Sequence, residues 1–183
     1  MKPIVSLSVV AGIALASTAG AQAPSDISPT PGRWAVTYAP THEAGSPAGA
    51  SASNGAKAMN GITVAVTALN AGGATSPVTK QSMPNTVTAG VAQIIQHGSG
   101  AAVAQANAGL GAAGAPAGQT ARLTTALANL SAATSSNAAN LVASAAAAFN
   151  DLTAGAPHAF IANPPATYLA IHMALHTMLV VIK

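Results

Sequence analysis

The chain has 183 residues, of which only 5% are charged and none is cysteine, and its formal net charge is +3. The lack of cysteine excludes disulfide cross-links and the attachment of a lipid through an N-terminal cysteine. The basic residues are scattered singly, which argues against a nucleic-acid-binding surface. Aromatic residues make up 3% of the chain, so much of its apolar content is alanine, and we expect a thin hydrophobic core.

Residues 1–21 have the three parts of a secretory signal peptide. Lys2 precedes the uncharged apolar stretch 4–16, and the small-x-small pattern of Ala19, Gly20 and Ala21 follows, after which cleavage is expected. The apolar stretch is too short for a comfortable membrane span. The sequence therefore predicts export to the periplasm, the cell surface or the extracellular space.

Residues 22–61 are rich in proline, glycine, serine and alanine, which predicts an extended segment of low order. Within it, residues 33–38 alternate in a strand pattern that places Trp34, Val36 and Tyr38 on one face. We interpret Trp34 as a core anchor. The alternative is a stacking platform for a sugar or a peptide.

Residues 62–118 contain a second strand pattern and a first helical one. Residues 62–69 are rich in β-branched side chains that alternate, and they follow the turn signal Asn60-Gly61. Residues 86–97 have apolar side chains at helical spacing and end before Gly98. The remainder, to residue 118, reads as a Gly/Ala-rich loop.

Residues 119–183 have the clearest helical pattern. A heptad pattern of apolar and small residues predicts either one long helix or two helices. We favour two that break at residues 135–137 and form a hairpin, because serine and asparagine compete with the helix backbone and make good caps. The apolar segment 168–182 predicts a buried C-terminal helix. The alternatives are membrane contact, a lipid-anchor signal, or docking on a second copy. The leucines expected to form an interaction surface are Leu123, Leu127, Leu130, Leu141, Leu175 and Leu179.

The predicted fold class is therefore mainly α. It has a helical hairpin or small bundle in the C-terminal half and a partly irregular, Gly/Ala/Pro-rich N-terminal half with one or two short strands. These helical faces and the charge-poor surface predict association with a second copy or with a protein partner.

A candidate metal site lies in the C-terminal helix, where His172 and His176 are four residues apart and share one face. Met173 stands where the helical zinc-protease motif has its glutamate, so that motif is excluded. Zinc or copper binding would need a third ligand from His158, His97 or His42. The alternative is a pair of histidines satisfied within the core. No other cofactor is predicted.

Catalytic motifs are lacking. The acids of the predicted mature chain, Asp26, Glu43 and Asp151, are far apart in the sequence. A triad of Ser99, His97 and Glu43 lacks the strand-turn-helix elbow that exposes a nucleophilic serine. We therefore expect a non-enzymatic exported structural or interaction protein. The alternatives are a metal-binding module that uses His172 and His176, and a surface protein with an apolar C-terminal anchor.

Overall fold

Seven α-helices make up most of the chain that the computed structural model describes, which is residues 34–37 and 48–182. In chain order they are α1 (Ala48–Asn70), α2 (Asn85–His97), α3 (Gly100–Ala112), α4 (Ala117–Asn129), α5 (Ala138–Gly155), α6 (His158–Ala162) and α7 (Ala166–Ile182). The 3-10 turn Leu130–Ala132 extends α4. No strand occurs in these residues, and the single bridge between Thr75 and Ser82 closes the connection from α1 to α2. The prediction of a mainly α protein is confirmed for the described part.

Glycine and proline set the corners between the helices. Gly98 ends α2 in the left-handed conformation, with φ of 60°, and its N–H donates to the carbonyl of Ile94 at 2.9 Å. Ser99 then caps α3, because its Oγ accepts from the N–H of Ala102 at 3.4 Å. Pro116 and Pro157 directly precede α4 and α6, where a missing N–H costs no helical hydrogen bond.

Helix α7 is the centre of the fold. Every residue from Tyr168 to Leu175 is buried, and the helix packs most extensively on α1 and also on α2, α3 and α5. A helix that is apolar on all sides is stable in water only when other elements cover all of its sides, so the composition of α7 explains its central position. The buried C-terminal helix that the sequence predicts is therefore present. No helix among the described residues combines the length and apolarity that crossing a bilayer requires.

Small residues let α1 approach α7 closely. A Cβ added at Gly61 would lie 2.9 Å from the backbone oxygen of Met178, so only glycine fits there without a shift of one helix. Ala58, Ile62, Ala65 and Leu69 are buried around this contact. Their spacing of three and four residues makes one helical face.

The strand predicted over residues 62–69 is wrong, because these residues form the last turns of α1. Ile62, Val64 and Val66 do alternate, but Val64 is 39% exposed while Ala65 is buried. The buried positions are thus spaced as on a helix, with Ala65 as one of them. Packing against α7 overrides the β-propensity of the valines. The preceding Asn60-Gly61 lies within the helix rather than in a turn.

Two segments predicted as irregular also contain helix. Residues 48–61, the end of the predicted low-order segment 22–61, belong to α1. Most of the predicted Gly/Ala-rich loop, residues 98–118, forms α3, which buries only Ala106 and Leu110. So few buried side chains leave little apolar periodicity to recognise. By contrast, α2 lies where the sequence predicts a helix over 86–97.

Helices α4 and α5 pack side by side as the predicted hairpin, with the break at residues 133–137. Asn137 organises the turn, because its side-chain oxygen accepts from the N–H of Thr134 at 2.7 Å while its own N–H donates to the carbonyl of Thr134 at 3.1 Å. Asparagine favours such local bonds over continued helix.

Candidate functional site

His172 and His176 lie on the same side of α7, as their spacing predicts. Their ring centres are 6.1 Å apart and the ring planes are inclined by only 14°. His172 is 4% exposed, whereas His176 is exposed. The pair therefore joins a core histidine to a surface histidine.

Aromatic rings enclose His172. Trp34 meets it edge-on at 5.5 Å, and Phe149 packs at 5.6 Å. Tyr168, one turn before His172, contacts both Trp34 and Phe149, at 5.5 and 4.7 Å. Among the described residues, Nδ1 of His172 has no hydrogen-bond partner.

This environment favours the neutral form of His172. Burial and, to a smaller extent, the charge of neighbouring His176 together lower its pKa to about 4. Burial also raises the pKa of the Tyr168 hydroxyl well above its usual value, and its hydrogen bond to Thr153 opposes that shift only partly. At neutral pH both side chains are therefore uncharged members of the core.

Trp34 belongs to a short segment held against the helices by Asn150. The N–H of Val36 donates to Oδ1 of Asn150 at 3.0 Å, and Nδ2 of Asn150 donates to the carbonyl of Val36 at 2.8 Å. Trp34 and Val36 are buried, while Ala35 and Thr37 are exposed. This alternation is the one predicted for the strand 33–38, but the partner is a side chain; Arg33 and Tyr38 lie outside the described residues.

The sequence interpretation of Trp34 as a core anchor agrees with its 2% exposure, which leaves no open face for stacking a sugar or peptide. Asn150 was not identified from the sequence. It follows the alanine run of α5 and stands between Phe149 and Asp151, and nothing in this local sequence distinguishes it from a solvent-facing asparagine.

The described residues hold no group of three or more His, Cys, Asp or Glu side chains that could bind a metal ion. His97 and His158 are exposed at the end of α2 and the start of α6, so neither joins His172. The third proposed ligand, His42, lies outside the described residues. Two ligand nitrogens of one zinc ion must come within about 4 Å of each other, so the nearly parallel rings would have to turn.

The leucines predicted as an interaction surface are in the core of the single chain. Leu123, Leu127, Leu130, Leu175 and Leu179 are at most 6% exposed, and Leu141 is half-buried. Packing within the single chain thus already covers these leucines, so their assignment to an exposed interface needs correction. The predicted signal-cleavage residues, Ala19 and Ala21, lie outside the described residues.

The surface grooves lined by described residues include three of similar size. The first lies beside the histidine pair, has a volume of about 220 Å³, and is bounded by residues 35–37, His176, Leu179 and Val180. The second, of about 190 Å³, lies between α2, α3 and the start of α7. The third, of about 270 Å³, lies between α1, α2 and the 3-10 turn.

The chemistry available in these grooves is limited. His176 is the only titratable side chain among the residues that line the three of them. The charged side chains of the described part are Lys57, Lys80, Arg122 and Asp151, and none of them lines these grooves. An acid–base pair or an activated nucleophile needs at least two such groups within hydrogen-bond reach, and these grooves do not supply them.

Comparison with known proteins adds no relative from which a role could be transferred: no family model, curated protein or solved structure gives a significant match to the chain.

Proposed function

We propose that this chain is an exported, non-enzymatic protein that works by contact, associating with copies of itself or with a protein partner through an uncharged surface. The observation that supports it most is the composition of the grooves, which offer one histidine and otherwise only uncharged side chains.

The surface of the helices points in the same direction. The exposed residues of α3 include Ala101, Ala104, Ala108 and Ala112, with no charged residue in the whole helix. Like-charge repulsion, which keeps many soluble proteins apart, is weak on such a surface. The leucines that the sequence predicts as an interaction surface are packed in the core. Association would therefore use the small, exposed side chains of α3.

Sedimentation equilibrium of the purified chain at micromolar concentration tests the proposal. We expect a concentration-dependent rise in mass, and we expect Ala104→Lys/Ala108→Lys, which adds charge to an exposed face of α3, to reduce it. Ala147→Lys, at an exposed position of α5, is a matched control for adding charge elsewhere. A chain that stays monomeric, and that retains no protein partner after mild cross-linking in its native extract, contradicts the proposal.

A deletion of residues 168–183 would not test whether α7 takes part in association, because it removes the central helix of the fold. For the same reason, membrane contact through 168–182 would require α7 to leave the core, where α1 and α5 cover it.

The second candidate function is the metal-binding module. It is favoured by the buried Nδ1 of His172, which has no hydrogen-bond partner within the part of the chain that the structure describes. Calorimetry with zinc and with copper on the wild type, on His176→Ala and on the control His158→Ala tests it. Heat that is lost only in His176→Ala supports a site at this pair. Equal heats in all three proteins exclude it.

A further inference from the structure

The groove between α2, α3 and the start of α7, here called the α2–α3 groove, has a volume of about 190 Å³. Val87 and Val91 supply apolar surface from α2, and Gln105 comes from α3. Thr86 and Thr167, at the first turns of α2 and α7, add two hydroxyl groups. The lining therefore combines apolar side chains with a few uncharged polar ones, which is typical of small-molecule sites.

Gly90 keeps this groove open. It lies in the interior of α2, where glycine destabilises a helix by roughly 0.5–1 kcal/mol relative to alanine. A Cβ added at Gly90 would meet no atom within 4 Å, so helix packing does not require a glycine there. This differs from Gly61, whose place against α7 does require one. The missing side chain at Gly90 thus adds to the open volume rather than to packing.

The polar side chains of the groove have unused hydrogen-bonding capacity. Among the described residues, the side chains of Thr86, Gln105 and Thr167 make no hydrogen bond. In the groove between α1 and α2, by contrast, the hydroxyls of Thr63 and Thr67 each donate to a carbonyl of their own helix. Ser131 in that groove is bonded likewise, and among the described residues only its Gln96 side chain makes no hydrogen bond. The α2–α3 groove therefore has three polar side chains without an internal hydrogen bond, against one in the groove between α1 and α2.

We propose that the α2–α3 groove binds a small uncharged molecule with an apolar body and one or two hydroxyl or amide groups. The apolar body contacts Val87 and Val91 over the space left by Gly90, and Gln105 with the two threonines bonds the polar groups. An ionised ligand would lose hydration without gaining a charged partner, because no charged side chain lines the groove. An apolar cavity of about 150 Å³ already accommodates benzene, so the space suits one substituted ring. This inference rests on the proposed non-enzymatic binding role and adds the class of ligand.

Benzyl alcohol is the probe, with toluene and benzoate as comparators that lack the hydroxyl or carry a charge. Amide chemical shifts of the full chain are followed by NMR as each compound is added. We expect saturable shifts in α2 and α3 with benzyl alcohol, with a dissociation constant of about 1 mM for so small a ligand. Toluene is expected to bind roughly fivefold more weakly, and benzoate to give no saturable shift.

Two variants and a control place the site. Gly90→Leu fills the groove and should weaken benzyl alcohol binding at least tenfold while the protein remains folded. Gln105→Leu removes one polar partner and should weaken benzyl alcohol roughly fivefold while leaving toluene unchanged. Gly111→Leu adds the same side chain at an open position of α3 outside the groove, and it should change neither affinity.

Shifts that rise linearly without saturation, or saturable shifts that survive both Gly90→Leu and Gln105→Leu, overturn the proposal. If Gly90→Leu does not fold, Gln105→Leu decides the matter alone, because it should weaken the binding of benzyl alcohol and leave that of toluene unchanged. Absence of ligand binding in a chain that still associates by sedimentation would remove this site and leave the proposed function intact.

Discussion

Asn150 replaces a neighbouring strand for Val36. Its carboxamide takes up both polar backbone groups of that residue, at 3.0 and 2.8 Å, as the backbone of a paired strand would. Because Trp34 lies two residues earlier and covers His172, the same two bonds help to hold the aromatic cluster closed.

Substituting Asn150 should therefore loosen the segment that carries Trp34. Asn150→Ala leaves two backbone groups of a buried residue without partners, and we expect a loss of about 1–3 kcal/mol in the free energy of unfolding. Trp34 is the only tryptophan, so its fluorescence reports on the segment directly and should shift to longer wavelength. Asn140→Ala, at an exposed position of the same helix, is the control. Equal behaviour of the two variants would contradict the role assigned to Asn150.

Acidification should destabilise the fold as His172 takes up a proton. Its pKa in the folded protein is about 4, below the ordinary value of 6.5, so between these pH values the unfolded chain binds more protons. Stability is then fully present above about pH 6.5, falls as the pH falls to about 4, and levels off below that. The loss from this group is on the order of 3 kcal/mol at most.

Urea unfolding at a series of pH values measures this effect. The background is small, because the whole chain has three carboxylate side chains. His172→Leu should flatten the dependence between pH 4 and 6.5, whereas the exposed His158→Ala should leave it as in the wild type. If the free energy of unfolding depends on pH as strongly in His172→Leu as in the wild type, another group causes the effect.

Two glycines in helix interiors should respond to alanine in opposite directions. Gly61→Ala places a Cβ 2.9 Å from the backbone of Met178 and should destabilise the protein by about 1–3 kcal/mol. Gly90→Ala meets open space and should stabilise it by roughly 0.5–1 kcal/mol through helix propensity. Thermal unfolding of the pair checks the prediction, which fails if the two changes have the same sign.

In the buried hydrogen bond between Thr153 and Tyr168, removing the acceptor should cost more stability than removing the donor. Thr153 gives its one hydroxyl proton to the carbonyl of Phe149 at 2.8 Å, so Tyr168 donates to Thr153, also at 2.8 Å. Tyr168→Phe removes the donor and should cost about 1 kcal/mol. Thr153→Val leaves the tyrosine hydroxyl buried without its partner and should cost more, up to about 3 kcal/mol. Denaturant midpoints that rank the variants in the reverse order would mean that the proton lies the other way.

The sequence predicts those parts of the fold in which large apolar residues mark the buried face. The burial of 168–182 could be predicted in this way, whereas the break near Asn137 follows from the local hydrogen bonds that serine and asparagine favour. Around Ile62 and Val66 it fails, because Ala58 and Ala65 are the core residues that complete the helical period, and alanine gives no contrast in a chain full of it.

The candidate site could be predicted only in part, for a similar reason. The shared face of His172 and His176 follows from their spacing on a helix. The contacts of Trp34 with His172 and of Asn150 with Val36 join residues more than a hundred positions apart, and such contacts are set by the packing of α5 and α7. No local pattern encodes them.

The central position of α7 has a consequence for how the chain acquires its fold. Helix α1 ends at Asn70, and its main partner begins only at Ala166, so the face formed by Ala58, Ile62 and Leu69 stays uncovered until the intervening chain has been made and drawn together. Joining such remote segments costs more loop entropy than zipping neighbouring helices, which slows folding relative to a bundle of sequential hairpins. A ribosome-bound chain that has not yet released α7 would therefore be vulnerable to proteases and to aggregation.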